Sequence, residues 1–228
     1  MPRLFFLSSP RIATSACTAM DLFSALLAIE PGLVLTEDAP GSGGEGSIED
    51  EALASYAATR ACARSGYGMA GWTEAARANR YLETDREFLS ELKRLAEARM
   101  LQPRDIAALA ALESAKRAYD ELFSLPLAKL NAPSFSRKLE AVEDLQFALA
   151  SGACARYSGL SGYSAYFADI RALLGKRRSA MAETVLSALG RSREDAVVIA
   201  GAAERGRLEA AASKTAAAMG YAVESLWK

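Results

Sequence analysis

The 228-residue chain contains no histidine. That absence removes the imidazole general base, the Ser-His and Cys-His couples, and His-ligated zinc and haem sites. Cysteine is nearly as scarce: Cys17, Cys62 and Cys154 are odd in number, far apart and form no C-x-x-C pair. A disulfide framework or zinc knuckle needs clustered spacings, so the thiols read as small buried hydrophobes of a reducing compartment. An excess of one charge is missing too. With 27 basic and 28 acidic residues the formal net charge is −1, which argues against a protein that works mainly by wrapping nucleic acid. The apolar run in residues 1–9 is about four long, where a secretory h-region needs about 7 to 15. No window approaches the ~18 uninterrupted apolar residues of a membrane span. The expectation is a cytoplasmic protein with neither nucleic acid nor membrane as partner.

About half of the residues are apolar and a quarter charged, enough to bury one or two cores. Residues 4–7 (LFFL) form a short apolar run ended by Ser-Ser-Pro, as in a buried strand. A helix follows, capped at Thr14 or Ser15, with Met20, Phe23, Leu26, Leu27 and Ile29 at helical spacing until Pro31-Gly32. Residues 33–36 (LVLT) are a second strand ending on Glu37-Asp38. Strand, helix and strand within about 35 residues match a right-handed βαβ crossover. A helix over about 49–64 leads to a third strand over 66–72, with Glu74 just beyond it. From about 84 to 175 helical periodicity dominates, broken at Pro103, Pro126, Pro133 and Ser151-Gly152 into about four helices. A helix over 177–189, a strand over 196–200, an Ala-rich helix over about 207–219 and a last strand over 221–226 close the chain. The prediction is one α/β domain over 1–228. Its sheet is mixed or mostly parallel with about five or more strands, flanked by helices, and an all-helical insertion occupies 84–175.

Gly41, Gly43 and Gly46 satisfy G-x-G-x-x-G, but the first glycine does not end a strand, Glu45 would face a pyrophosphate and the next helix opens on Glu49-Asp50-Glu51. A loop near the site is the preferred reading. The basic cluster Arg171, Lys176, Arg177 and Arg178 is either a solvated face or an anion contact. Tyr157, Tyr163, Tyr166 and Phe167 are either packing beside a helix turn or a ligand wall. The strongest signal is the set of residues at strand ends, where ligands bind in an open α/β sheet: Ser8, Ser9 and Arg11, Glu37 and Asp38, Glu74, and Glu204 with Arg205. That many carboxylates either pair with the arginines, raise one another's pKa or recruit a hard cation such as Mg²⁺ or Mn²⁺.

Two segments resemble the TraB/Tiki group, related to the ChaN haem-uptake and erythromycin-esterase-like proteins. LFFLSSPRIATSA with LLAIEPGLVLTED is similar to that group's strand, Gly-x-x-His turn, helix and strand ending on Glu. RRSAMAETVLSAL with DAVVIAGAAERGRLEAAASKTAAAMGYAVESLW is similar to its Arg-Asn-x-x-Met-Ala helix, Val-rich strand, Gly-Ala-x-His-x-x-Gly turn and final Gly-Tyr-x-Val strand. ARSGYGMAGWTEA resembles the step between them. The resemblance places Glu37 on the strand-end glutamate, Arg177 and Met181-Ala182 on the helix motif and Gly201-Ala202 on the glycine turn. It covers roughly the first 80 and last 55 residues. Where the group has its two histidines, this chain has Arg11 and Glu204. Arginine ligates no metal, so a guanidinium there would stand in the cation's place and pair with Glu37.

The implied function is a divergent, non-catalytic member of the group that has lost its metal chemistry. It would use no cofactor and no metal, and bind a small polar ligand or a protein partner through Arg11, Glu37, Glu74, Arg177 and Glu204. A carboxylate-based hydrolase, with or without Mg²⁺ or Mn²⁺, is the alternative: Glu37 or Glu204 would be the base and Arg11 or Arg177 would stabilise an oxyanion. A third reading is a structural or assembly protein whose helical block forms a homodimer face.

Overall fold

The structure is a computed structural model, and it describes residues 1–38 and 47–227. The glycine motif at 41–46 lies outside the described residues. The chain divides into two compact units: Met1–Met69, Ala118–Glu140 and Arg178–Lys228 form the first, and Ala70–Arg117 with Ala141–Arg177 the second. The segment 118–140, central to the expected 84–175 insertion, therefore belongs to the first unit.

The first unit is built on strands β1 (Arg3–Ser9), β2 (Leu33–Thr36), β3 (Ala63–Gly66), β4 (Ala196–Gly201) and β5 (Ala222–Glu224). They form one all-parallel sheet in the order β3-β2-β4-β1-β5. The protein is thus an α/β fold. A parallel sheet is covered on both faces, so its central strands read as continuous apolar runs rather than alternating ones. β4 (AVVIAG) and β1 (RLFFLSS) do so and are buried almost throughout. Phe5, Leu7, Val197 and Ile199 pack on one side with α1 (Ala19–Ile29) and α2 (Ile48–Thr59). Leu4, Phe6, Val198 and Ala200 pack on the other with α9 (Ala202–Ala218) and the 178–191 part of α8 (Tyr163–Arg191).

The chain leaving β1 reaches β2 by crossing β4, and the chain leaving β4 reaches β5 by crossing β1 in the opposite direction. Right-handed crossovers of opposite direction put their helices on opposite faces, as observed. The carboxyl ends of β1 and β4 consequently flank a topological switch point, the place where open α/β sheets bind ligands.

Several local expectations are corrected. The third strand is β3 at 63–66 rather than 66–72. Its sequence ARSG carries no apolar run because it lies at the sheet edge and is only partly buried. Trp72 opens helix α3 (Trp72–Ala78), so Glu74 is an exposed helical residue and not a strand end. Helix α1 is capped at Thr18, whose N–H donates to the Asp21 carboxylate at 2.8 Å, while Thr14 closes the preceding turn by accepting from the Cys17 N–H at 2.9 Å. Met20 is 65% exposed. Arg177 does not start a helix: α8 runs unbroken through Gly175, where an added Cβ would meet open space.

The second unit is helical among its described residues. It contains α3, α4 (Tyr81–Glu97), a 3-10 turn (Ser158–Leu160) and the larger parts of α5 (Pro103–Leu122), α7 (Pro133–Arg156) and α8. Its core joins Phe88, Leu92, Leu112, Leu149 and Phe167. The aromatic patch serves mainly as packing: Phe88 and Phe167 meet edge to face at 4.7 Å, Tyr166 and Phe167 at 5.0 Å. Ser151-Gly152 does not break α7, because Ala150 and Ala153 are wholly buried and tertiary packing outweighs weak helix propensity.

The short helix α6 (Leu127–Leu130) and the start of α7 return to the first unit, where Leu127, Leu130, Phe135 and Leu139 join the core with α1. Asn131 follows α6 and is 3% exposed. Its Oδ1 accepts from the Ser8 N–H at 2.7 Å, and its Nδ2 donates to the carbonyls of Ser8 at 3.3 Å and Leu127 at 2.9 Å. β5 pairs only with Arg3, Leu4 and Phe5, so the far end of β1 lacks a strand neighbour on that side. The Asn131 amide takes the place of one.

Candidate functional site

Arg11 follows β1 after Ser9-Pro10 and holds a left-handed backbone, φ 66°. That conformation is disfavoured for residues with a Cβ. It is stabilised on both sides: the Arg11 N–H donates to Ser9 Oγ at 2.9 Å and the Arg11 carbonyl accepts from the Ile48 N–H at 3.1 Å. An antiparallel bridge between Ile12 and Ser47 continues the link. These contacts bring the first turn of α2 to the end of β1.

The guanidinium lies over the end of β4, where a Cβ on Gly201 would come within 3.3 Å of Arg11 Nε. Its Nη2 pairs closely with Glu37 Oε2, and Nη1 lies 3.4 Å from Asp38 Oδ2. Burial works against the guanidinium charge, but Glu37, Glu49 and Asp38 outweigh it and the Arg11 pKa is raised. The side chain of Glu37 is 10% exposed. Its backbone is fixed from the other side, since Gly68 N–H donates to the Glu37 carbonyl at 2.8 Å. A Cβ at Gly68 would sit 2.4 Å from that oxygen, so the strand-end turn requires glycine there. Below, the Tyr67 hydroxyl donates to the Ile199 carbonyl at 2.9 Å.

Glu49 completes the cluster from the first turn of α2. Ser47 caps that helix by accepting from the Asp50 N–H at 3.3 Å, and Glu49 is 7% exposed. Burial pushes its pKa up, with Arg11 and a hydrogen bond to Ser9 acting in the opposite sense. Its Oε1 is buried and has no hydrogen-bond partner. The Ser8 hydroxyl at the end of β1 is likewise buried and unpartnered. A buried acceptor left unsatisfied costs about 1–3 kcal/mol.

Of the five residues singled out from sequence, the structure joins Arg11 and Glu37 as a direct ion pair. Glu204, in the first turn of α9, accepts two hydrogen bonds from Arg178, at 2.9 Å from Nε and 3.3 Å from Nη2. Glu74 and Arg177 belong to the second unit, where the Arg177 guanidinium stacks 4.4 Å above the Trp72 ring. Arg205 turns away from strand-end chemistry, donating to Ser136 Oγ at 2.6 Å and Glu209 Oε2 at 2.8 Å.

Sequence reasoning missed Glu49; it names Ser9 only as a strand-end residue and Arg178 only as part of the basic cluster, and it pairs neither with a partner. For Arg178 a signal existed: it shares a helical face with Met181, Ala182 and Val185, all buried, whereas its neighbour Arg177 had been chosen from the motif. For Glu49 the acidic first turn was visible, but nothing in the spacing revealed that α2 begins beside Arg11.

A metal of the kind the TraB/Tiki resemblance implies does not fit these residues. Among the described residues no three Cys, Asp or Glu side chains are grouped to hold an ion, and the fixed charge of Arg11 already neutralises Glu37. The cysteines offer no substitute: burial pushes the Cys17 thiol up to about 11 and raises those of Cys62 and Cys154. No helix among the described residues is long and apolar enough to cross a membrane. Comparison with protein-family models, curated proteins and solved structures finds no match for this chain.

Proposed function

We propose that the carboxyl edge of the first unit's sheet binds a small polar ligand bearing a hydrogen-bond donor, without breaking a bond in it, in a cytoplasmic, divergent relative of the TraB/Tiki group. The observation that carries this reading is the orphaned Glu49 Oε1, buried beside the Arg11–Glu37 pair at the switch point. An unsatisfied buried acceptor is stabilised by an incoming N–H or O–H. Its neighbour Arg11 is a permanent donor with no proton to exchange at neutral pH, so it favours recognition over proton transfer.

Thermal shift of the full chain against amines, amino acids, amides and polyols tests the reading. At a hundredfold excess over Kd a ligand adds about 2.7 kcal/mol, which is about 5–10 °C in Tm for a chain of this size. The shift is expected to be unchanged by EDTA and lost in Glu49→Leu, which replaces the orphan carboxylate by an apolar group of similar volume. Strong stabilisation by Mg²⁺ or Mn²⁺, reversed by EDTA, would overturn the proposal, as would a ligand shift that survives in Glu49→Leu.

The same variant reports on the carboxyl itself. A glutamate whose folded pKa is raised binds its proton more tightly in the native state. Its contribution is therefore fully present below the unfolded value and is lost as pH rises through the folded one. Denaturant titrations should show wild type losing stability relative to Glu49→Leu as pH climbs across that window. A constant difference would mean that Glu49 titrates normally.

A further inference from the structure

In the second unit a groove of about 480 Å³ opens between α7 and α8. This volume lies within the range of small-molecule sites. Its walls are single helical faces: Phe147, Ser151 and Cys154 recur at i, i+4 and i+7 on α7, and Ser164, Ala168 and Arg171 at the same spacing on α8. Ala150, Cys154 and Phe167 are buried and form an apolar floor, while Arg171, Ser151 and Ser164 are exposed at the rim.

The charge of this groove is one-sided. No aspartate or glutamate lines it. The Arg171 guanidinium lies 5.8 Å from the Phe147 ring centroid and, among the described residues, makes no hydrogen bond or ion pair. Most arginines of this protein with a described partner are held by a carboxylate, as Arg3, Arg60, Arg64 and Arg94 are.

We infer that this groove is a second binding site, for a small monocarboxylate with an apolar body. The carboxylate pairs with Arg171, a guanidinium fork matched to two oxygens. The body lies on the floor of Ala150, Cys154 and Phe167, against the Phe147 ring. The rim hydroxyls of Ser151 and Ser164 supply further donors. The inference is independent of the ligand proposed for the sheet edge and involves none of its residues.

The test titrates the full chain with phenylbutyrate, decanoate and the neutral phenylbutanol by calorimetry and ligand-observed NMR. At least one acid is expected to bind saturably, and phenylbutyrate to bind about tenfold or more tighter than phenylbutanol, the size of a charge-assisted hydrogen bond. Arg171→Gln should remove that preference, and Arg171→Lys should retain part of it. Ala168→Trp, an exposed-site substitution that fills the groove, should abolish binding while the circular dichroism spectrum stays unchanged. Equal affinity for acid and alcohol, binding unaffected by Arg171→Gln, or no saturable binding of either acid up to ~5 mM would each overturn the site. So would a dimer in light scattering that Ala168→Trp dissociates, because the groove would then hold a second copy of the chain.

Discussion

Asp105→Ala is expected to destabilise the second unit by about 1.5–3 kcal/mol, the loss of charge-assisted hydrogen bonds to a buried carboxylate. Asp105 is 1% exposed in the first turn of α5. Both of its oxygens accept from Arg156, one of them from Nε at 3.0 Å, and Oδ2 accepts the Tyr157 hydroxyl at 2.6 Å. The Tyr157 oxygen in turn accepts the Gln102 N–H at 2.8 Å, so one carboxylate closes the start of α5 and the end of α7 together. Burial alone would raise the Asp105 pKa, but Arg156 and Tyr157 outweigh it and hold it below the usual range. A lowered carboxyl stabilises above its unfolded value, and that contribution is lost as pH falls through the folded one. Hydrogen exchange along α5 and α7, with denaturant titration, measures the loss. Asp105→Ala with Arg156→Met should recover only part of it, since the Arg156 side chain is 26% exposed and its released guanidinium can turn to solvent. A loss below about 1 kcal/mol in the single variant would place the pair among ordinary surface bridges.

Asn131→Ala is expected to cost the first unit about 2–5 kcal/mol. The substitution orphans the buried Ser8 N–H and C=O together, at about 1–3 kcal/mol each, and also the third bond, to Leu127. Asn131→Asp separates hydrogen bonding from volume. It keeps an acceptor for the Ser8 N–H but loses both donor contacts and buries a charge, so it should not rescue stability. Amide exchange at Ser8 is the local readout. Exchange that stays slow in Asn131→Ala would show that the strand end does not depend on this side chain.

The sheet was largely legible in the sequence, and the site only in part. Runs such as LFFL and VVIA announce doubly covered parallel strands, because burial on both faces leaves no position for polar alternation. β3 was misplaced because an edge strand is half exposed and needs no such run, so ARSG carries no signal. The Arg11–Glu37 pair could be anticipated, since both residues end strands of one βαβ unit. Glu49 could not, because its place beside Arg11 depends on where α2 docks, and that is decided by the bridge between Ile12 and Ser47 and by the packing of Ile48.

The absence of histidine was settled by sequence alone. It excludes imidazole chemistry wherever the chain folds, because composition survives any arrangement of the residues. The strand-end carboxylates and arginines were equally plain as an inventory. Which of them meet was decided by tertiary structure: Arg11 closes on Glu37, Arg178 takes Glu204, and Glu74 and Arg177 belong to the second unit. The reason is physical. Charge and side-chain type are properties of single residues, whereas ion pairing requires two groups brought within a few ångströms with a shared loss of solvent, and only the docking of helices on a sheet fixes that separation.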